Sequence, residues 1–200
     1  MPDLRFVVTI VALLGTIVAT LAQDAGTSVR VRGTITALQG TTLTVKNLAG
    51  MEVSIDVPES VAVAATKPFS MADITPGMIL GVTTIKRVDG ADVAIEVHPI
   101  PATAPLGLIP WDLAPGSTMN NGAVEATVAA TGGPELTLNY KTGVVKVLID
   151  KKTAMAQAAP GTRADLKAGE TVFVFGNKDD AGKITAARVQ VSKDGIKPVQ

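Results

Sequence analysis

The sequence predicts an all-β protein in which one five-stranded unit occurs twice in tandem. Short stretches that alternate apolar and polar residues recur along the chain, as strands with one buried face require. Nineteen glycines and 12 prolines separate these stretches, in the way that turn residues do. Most of the second half of the chain also repeats the first half at a nearly constant spacing.

Residues 1–22 have the pattern of a secretory signal peptide, which we expect to form a helix ahead of the mature chain. Arg5 supplies a basic start, residues 6–18 are apolar, and Thr20-Leu21-Ala22 places small residues at both cleavage-recognition positions. The alternative is an uncleaved membrane anchor. An apolar run of about seventeen residues is short for a bilayer span, which needs roughly 20. We therefore expect cleavage, a periplasmic or secreted destination, and no membrane attachment afterwards.

The two copies of the unit span residues 28–99 and 122–192. Residues 31–37 align with residues 124–130 at a spacing of 93, with Ala126 where the first copy has Gly33. After one deleted residue the spacing becomes 92 and continues to the end of both copies. A single gap over such a length indicates an internal duplication.

Each copy is predicted to contain five strands, with one long connection after the third. The predicted strands are residues 29–37, 41–47, 51–57, 78–88 and 91–97 in the first copy, and 123–130, 136–140, 144–150, 170–177 and 183–191 in the second. The long connection contains Ser70-x-x-Asp73 in one copy and Thr162-x-x-Asp165 in the other, and each pattern starts a helical turn. Five short antiparallel strands favour a small closed barrel, because closure removes exposed edges. An OB-like barrel is the expected form.

Residues 100–121 join the two copies and are called the strap below. Residues 99–122 include five prolines, which exclude a helix interior or a central strand. The stretch nevertheless holds the only tryptophan, Trp111, among several leucines and isoleucines, so we expect it to lie ordered against both barrels. By contrast, the connection at residues 151–161 and the tail at residues 193–200 have few large apolar residues and are predicted to be mobile.

The motifs of the first copy resemble a bacterial domain family of unknown function that occurs in exported proteins. The resemblance is carried by residues 33–45, by Asp-Ile-x-x-Gly at residues 73–77 and by residues 89–97; residues 96–98 and 110–121 resemble a double-domain subgroup. It implies OB-like barrels in tandem. It implies no activity, since none is established for the family.

His98, the only histidine, makes a transition-metal site one hypothesis. Imidazole, carboxylate and thioether groups suit such a metal. The candidate ligands are Glu96, His98 and Asp112, with Asp92 or Met119 as further possibilities. The alternative is a solvated strand face, because Glu96 and His98 align with Arg188 and Gln190 of the second copy.

Three aromatic residues suggest where the strap is held. The predicted strand around Val172-Phe173-Val174-Phe175 is apolar on both faces, whereas a barrel strand needs only one apolar face. One face would fill a barrel, and the other would contact the strap through Trp111. The alternative is an exposed partner-binding patch formed by Phe173 and Phe175.

Composition and motifs argue against two other functional classes. Ser117 lacks the Gly-x-Ser-x-Gly turn that carries a serine nucleophile. The pattern Asp112-x-x-Pro-Gly-Ser is instead typical of a turn. Eighteen basic residues balance 18 acidic residues and only 3% of residues are aromatic, which is unlike a nucleic-acid-binding surface. We therefore expect a non-enzymatic binding module of the bacterial envelope, without a cofactor, whose partner is an envelope protein or a small ligand. A periplasmic metal-binding protein that uses Glu96, His98 and the strap is the alternative.

Overall fold

The computed structural model describes residues 26–130 and 133–199, and this part of the chain is all-β, as predicted. The strands are β1 (Thr27–Gln39), β2 (Thr42–Asn47), β3 (Glu52–Asp56), β4 (Val63–Pro68), β5 (Ile79–Lys86), β6 (Asp92–Pro99), β7 (Gly107–Pro110), β8 (Thr118–Ala130), β9 (Gly133–Asn139), β10 (Val144–Leu148), β11 (Ala154–Pro160), β12 (Thr171–Lys178) and β13 (Ile184–Val191). The predicted signal peptide lies outside the described residues. Within them, no helix has both the length and the apolar character needed to cross a membrane.

Ten of the strands pair into two closed rings of five. In ring one, β1 pairs with β2 and β12, β2 with β3, β12 with β13, and β13 closes the ring on β3. In ring two, β8 pairs with β9 and β5, β9 with β10, β5 with β6, and β6 closes the ring on β10. The two closing contacts are parallel and the other pairings are antiparallel. Each ring encloses its own apolar core.

Each ring takes strands from both repeats. Ring one joins β1–β3 of the first copy to β12 and β13 of the second, and ring two joins β8–β10 of the second copy to β5 and β6 of the first. The structure therefore does not confirm two barrels that are each closed by one repeat. Because every repeat contributes to both cores, separating the two repeats would break strand pairs in each ring.

A local two-fold relation connects the rings through β4 and β11, which pair antiparallel. Thr66 pairs with Ala158, and these residues occupy equivalent positions of the two repeats, 92 residues apart. Strand β4 also pairs in parallel with β13 of ring one, and β11 pairs in parallel with β6 of ring two. The prediction of a mobile connection at residues 151–161 is therefore wrong, because backbone pairing rather than apolar side chains orders it. Residues 193–199 of the tail are also ordered, with Val199 buried and Lys193 bridged to Ile196.

The predicted helical turns in the long connections are confirmed in both repeats. Short 3₁₀ turns run over Met71–Asp73 and Arg163–Asp165. The Asp73 carboxylate accepts a hydrogen bond from the backbone N–H of Ser70 at 2.8 Å, and Asp165 accepts one from Thr162 at 2.7 Å. These bonds satisfy a donor at the start of each turn, which is why the pattern starts a turn wherever it occurs.

The first strands of the repeats match at a spacing different from the predicted one. Ile35 pairs with Val45, and its structural counterpart Val124 pairs with Leu138, so β1 and β8 correspond at a spacing of 89. The second copy therefore has four more residues between Val124 and Leu138 than the first copy has between Ile35 and Val45. Gly33 therefore corresponds to Gly122 and not to Ala126. A Cβ atom at Gly33 would lie 2.2 Å from the carbonyl oxygen of Lys46, which explains the glycine.

Candidate functional site

The second half of the strap is an ordered hairpin. Strand β7 pairs with the first residues of β8, and the turn between them is held by Ser117. The Ser117 hydroxyl donates to the carbonyl of Trp111 at 3.0 Å and accepts from the N–H of Ala114 at 3.2 Å. This buried hydroxyl therefore acts in the turn, as the local sequence suggests.

A cavity of about 530 Å³ lies between the strap and the outer faces of β1, β12 and β13. Its apolar lining residues are Ile100, Pro101, Ala104, Pro105, Ile109, Trp111, Met119, Phe173, Phe175 and Ala187. Its polar lining residues are Arg30, His98, Asn121 and Arg188. Pockets that bind small molecules typically measure roughly 300–1,000 Å³ and combine mainly apolar walls with a few polar groups. The strap cavity has both properties.

The aromatic residues singled out in the sequence meet at this cavity. Val172 and Val174 point into the core of ring one, while Phe173 and Phe175, on the opposite face of β12, line the cavity together with Trp111. Phe173 is only 3% exposed, so it is not part of an exposed patch. The exposed-patch alternative is therefore wrong for Phe173.

His98 is buried at the cavity wall rather than solvated, which corrects the solvated-face alternative. Strand β6 contains a bulge, because Thr83 pairs with Glu96 while Thr84 pairs with Ala94, and Ile95 has no opposite residue. The bulge places Ala94 in the core of ring two together with Val97, whereas His98 stays on the opposite face, which the strap and ring one cover. Gly81 pairs with His98, and a Cβ atom at Gly81 would lie 2.8 Å from the imidazole Nε2. The missing side chain at Gly81 thus makes room for the ring.

The environment of His98 keeps its imidazole neutral at neutral pH. Burial disfavours the charged ring and, with a smaller contribution from the positive charge of Arg188, lowers the pKa of His98 to about 4. The Nδ1 atom makes no hydrogen bond with the described part of the chain. A neutral imidazole can donate from one nitrogen and accept at the other, so His98 can pair with either type of group.

Arginines of β1 hold the Trp111 end of the strap. The guanidinium of Arg30 lies 4.0 Å from the centre of the Trp111 ring, and that of Arg32 lies 5.0 Å from the centre of Phe173. The Asp112 carboxylate pairs with Arg32 at 3.0 Å and with Arg30 at 3.9 Å. Stacking of a cation on an aromatic face contributes about 0.5–2 kcal/mol, depending on solvent exposure. The strap is therefore fixed to β1 by both stacking and charge.

Three residues that line the cavity carry buried polar atoms without a hydrogen bond among the described residues. These atoms are Arg30 Nε, His98 Nδ1 and Trp111 Nε1. Each such atom costs about 1–3 kcal/mol of stability, and unpaired groups of this kind are uncommon in folded proteins. Their concentration around one cavity marks this region as the candidate site.

The structure does not bring the proposed metal ligands together. His98 lines the strap cavity, Glu96 lines a neighbouring cavity of about 190 Å³, and Asp112 faces two arginines. Of the other candidates, Asp92 pairs with Lys86, and the Met119 sulfur accepts from the Thr83 hydroxyl at 3.8 Å. No group of three or more His, Asp or Glu side chains in the described ranges could hold a metal ion.

Comparison with protein-family models, with curated proteins and with solved structures gives no match. The family resemblance therefore stays a prediction, and the site has to be interpreted from its own chemistry.

Sequence reasoning does not find three of the residues that shape the site. Arg30 and Arg188 lie on ordinary alternating strands, and Gly81 resembles any other strand glycine. The comparison of the two repeats could have indicated these positions. Gly81 aligns with Phe173, and Glu96 aligns with Arg188, so the two copies differ in size and charge where the cavity forms.

Proposed function

We propose that this protein is an exported, non-enzymatic binding module of the bacterial envelope, and that the strap cavity binds a small, mainly apolar ligand. The observation that carries the proposal is the cavity of about 530 Å³, with apolar walls and unpaired polar atoms on Arg30, His98 and Trp111. Shape, size and polarity together fit a small-molecule site better than a flat protein interface.

The strand pairing supports an OB-like assignment for both rings. In each ring the first strand pairs with the second and fourth, and the third and fifth strands close the ring in parallel. The long connection with its single helical turn follows the third strand in both repeats. In this proposal the barrels are rigid supports, and the strap covers the groove between them.

The remaining parts of the proposal rest on the sequence. The leader at residues 1–22 supports export, and the turn role of Ser117 supports a non-enzymatic protein. An envelope protein is the other partner class that the sequence allows. We favour a small ligand because the strap forms one side of the cavity and Trp111, Phe173 and Met119 offer polarisable walls.

A binding experiment with a cavity-filling variant tests the proposal. Residues 23–200 are titrated with N-phenyl-1-naphthylamine, a neutral apolar dye, and both dye emission and Trp111 emission are recorded. Ala104→Phe places a large side chain in the cavity, whereas Ala102→Phe adds the same side chain at an exposed strap position.

We expect the dye to bind the unmodified protein and the Ala102→Phe variant equally. Ala104→Phe should weaken binding at least about ten-fold, because the ring takes up ligand volume and a tenfold change needs only 1.4 kcal/mol. Absence of binding to the unmodified protein, or equal binding by both variants, would contradict the proposal.

A further inference from the structure

We infer that the ligand of the strap cavity is a neutral molecule with an apolar body and a carbonyl group, whose oxygen accepts hydrogen bonds from the Trp111 indole and the Arg30 guanidinium. This inference rests on the proposed function, since it specifies the class of ligand for the same cavity. It follows from two unpaired donors at one end of the cavity, from the ion pair that offsets the charge of Arg30, and from the apolar walls.

The unpaired groups at the Trp111 end of the cavity can only donate. Trp111 Nε1 and Arg30 Nε are buried, and neither makes a hydrogen bond with the described part of the chain. Indole and guanidinium groups carry protons on nitrogen and offer no acceptor. Because the Arg30 guanidinium lies 4.0 Å from the centre of the Trp111 ring, both donors lie at the same end of the cavity. A ligand group that pairs with them has to be an acceptor.

The charges around the cavity favour a neutral acceptor over an anion. Asp112 lies 3.9 Å from Arg30 Nη1, so it offsets the charge of this arginine while Nε stays unpaired. Arg188 is engaged in an interaction of its own, and burial lowers the pKa of His98 to about 4, so its ring is neutral at pH 7.5. An anionic head group would lose its hydration without gaining an unpaired cation among these residues, which costs far more than burying a neutral carbonyl.

The turn of the strap holds the Trp111 backbone in place and leaves the indole as the adjustable part. The N–H of Trp111 donates to the carbonyl of Ser117 at 2.9 Å, and the carbonyl of Trp111 accepts from the Ser117 hydroxyl at 3.0 Å. Because Nε1 is covered in the structure, a ligand reaches it through a small movement of the indole. An unpaired buried donor is destabilising, so an acceptor that pairs with it contributes to binding.

The remaining walls provide the surface for an apolar body. Ile109, Phe173 and Phe175 line the same cavity as Trp111. Aromatic side chains of this kind contribute large apolar contact areas. A carbonyl oxygen has two lone pairs and no proton, so it can accept from two donors and brings no donor that would itself need a partner. A ketone, aldehyde or ester on an apolar skeleton fits this combination.

Two neutral probes of similar shape test the inference. 2-Acetylnaphthalene carries the carbonyl group, and 2-isopropylnaphthalene has a hydrocarbon group in its place. Each probe is used to displace N-phenyl-1-naphthylamine at pH 7.5 from the unmodified protein and from Trp111→Phe, which keeps an aromatic ring and removes the N–H. Comparing the ratio of the two affinities between the proteins cancels the different free energies of removing the two probes from water.

We expect Trp111→Phe to reduce the affinity for the ketone relative to the hydrocarbon by at least about three-fold, because a hydrogen bond of ordinary net strength corresponds to about a five-fold change. Phe175→Leu is the matched control, since it removes an aromatic wall and no donor. It should weaken both probes by the same factor. 2-Naphthoate, an anionic probe, should bind more weakly than 2-acetylnaphthalene.

A second readout needs no substitution. The chain has one tryptophan, so the indole N–H signal in a nitrogen-labelled sample comes from Trp111 alone. Bound 2-acetylnaphthalene should move the indole proton signal to lower field than bound 2-isopropylnaphthalene does, because only the ketone accepts its hydrogen bond.

The outcomes separate this inference from the proposed function. An affinity ratio that Trp111→Phe leaves unchanged, equal indole signals with both neutral probes, or tighter binding of 2-naphthoate than of the ketone would overturn the inference and leave the small-ligand site in place. If neither the dye nor any of the probes binds, the proposed function itself fails.

Discussion

Acidification between pH 6.5 and pH 4 should destabilise this protein through His98. The folded protein holds the pKa of His98 at about 4, whereas an unfolded chain leaves histidine near its usual 6.5. As the pH falls below 6.5, the unfolded state therefore takes up a proton that the folded state resists. The contribution of His98 to stability is complete above pH 6.5 and is lost as the pH falls toward the folded pKa.

The size of the effect follows from the difference between the two pKa values. One pKa unit corresponds to about 1.4 kcal/mol, so the full loss is about 3 kcal/mol, of which about 2–3 kcal/mol is reached by pH 4.5. Asp56, Asp89 and Asp165 have pKa values lowered below the usual 3.8, so their contributions are lost at more acidic pH. The window between pH 6.5 and pH 4.5 therefore isolates His98.

His98→Gln provides the matched comparison. The second repeat has Gln190 at the equivalent position, and that side chain is 2% exposed, so this strand position accommodates a buried glutamine. Urea unfolding followed by circular dichroism at pH 7.5, 6.5, 5.5 and 4.5 gives the free energy of unfolding of both proteins. The unmodified protein should lose about 2–3 kcal/mol more than His98→Gln between pH 7.5 and 4.5. The reasoning is refuted if both proteins lose the same free energy over this range.

Two further predictions concern packing at His98 and the exchange of strands between repeats. Gly81→Ala should destabilise the protein by about 1–3 kcal/mol, because the new Cβ would lie 2.8 Å from the confined imidazole. The same change made in His98→Ala should be milder by at least about 0.5 kcal/mol in urea unfolding, and an unchanged loss would show that Gly81 does not accommodate this ring. Separately produced fragments of residues 23–103 and 104–200 should associate one to one and regain cooperative unfolding on mixing, because each ring needs strands from both. Size-exclusion chromatography that shows each fragment as a folded monomer would contradict the exchange.

Much of the local structure is predictable because it depends on neighbouring residues. Alternation of apolar and polar residues marks the strands, and the Ser70 and Thr162 patterns mark the turns, since each turn is stabilised by a carboxylate three residues away. Where the predictions fail, the deciding contact is remote in sequence. The connection at residues 151–161 is ordered because β11 pairs with β4, almost one repeat earlier in the chain.

The misaligned first strand shows the limit of the repeat as evidence. Shifting the alignment of β8 by four residues leaves the apolar and polar residues of the two sequences in phase, because the pattern of a strand has a period of two. Alternation alone therefore cannot distinguish a spacing of 93 from the observed 89. Pairing of Ile35 with Val45 and of Val124 with Leu138 decides the register, and it depends on the neighbouring strand.

The sequence by itself determines that this chain forms β-strands, and it predicts two related units that a tryptophan-bearing strap joins. Only the tertiary structure decides which strands share a core. Equivalent strands of the two repeats contribute aliphatic residues to each core, so the apolar pattern does not show whether β5–β6 or β12–β13 completes a given ring, whereas the strand pairing does. The strap cavity forms where the repeats differ, at Gly81 and Phe173 and at Glu96 and Arg188. Its chemistry therefore depends on the exchange that brings residues of both copies together.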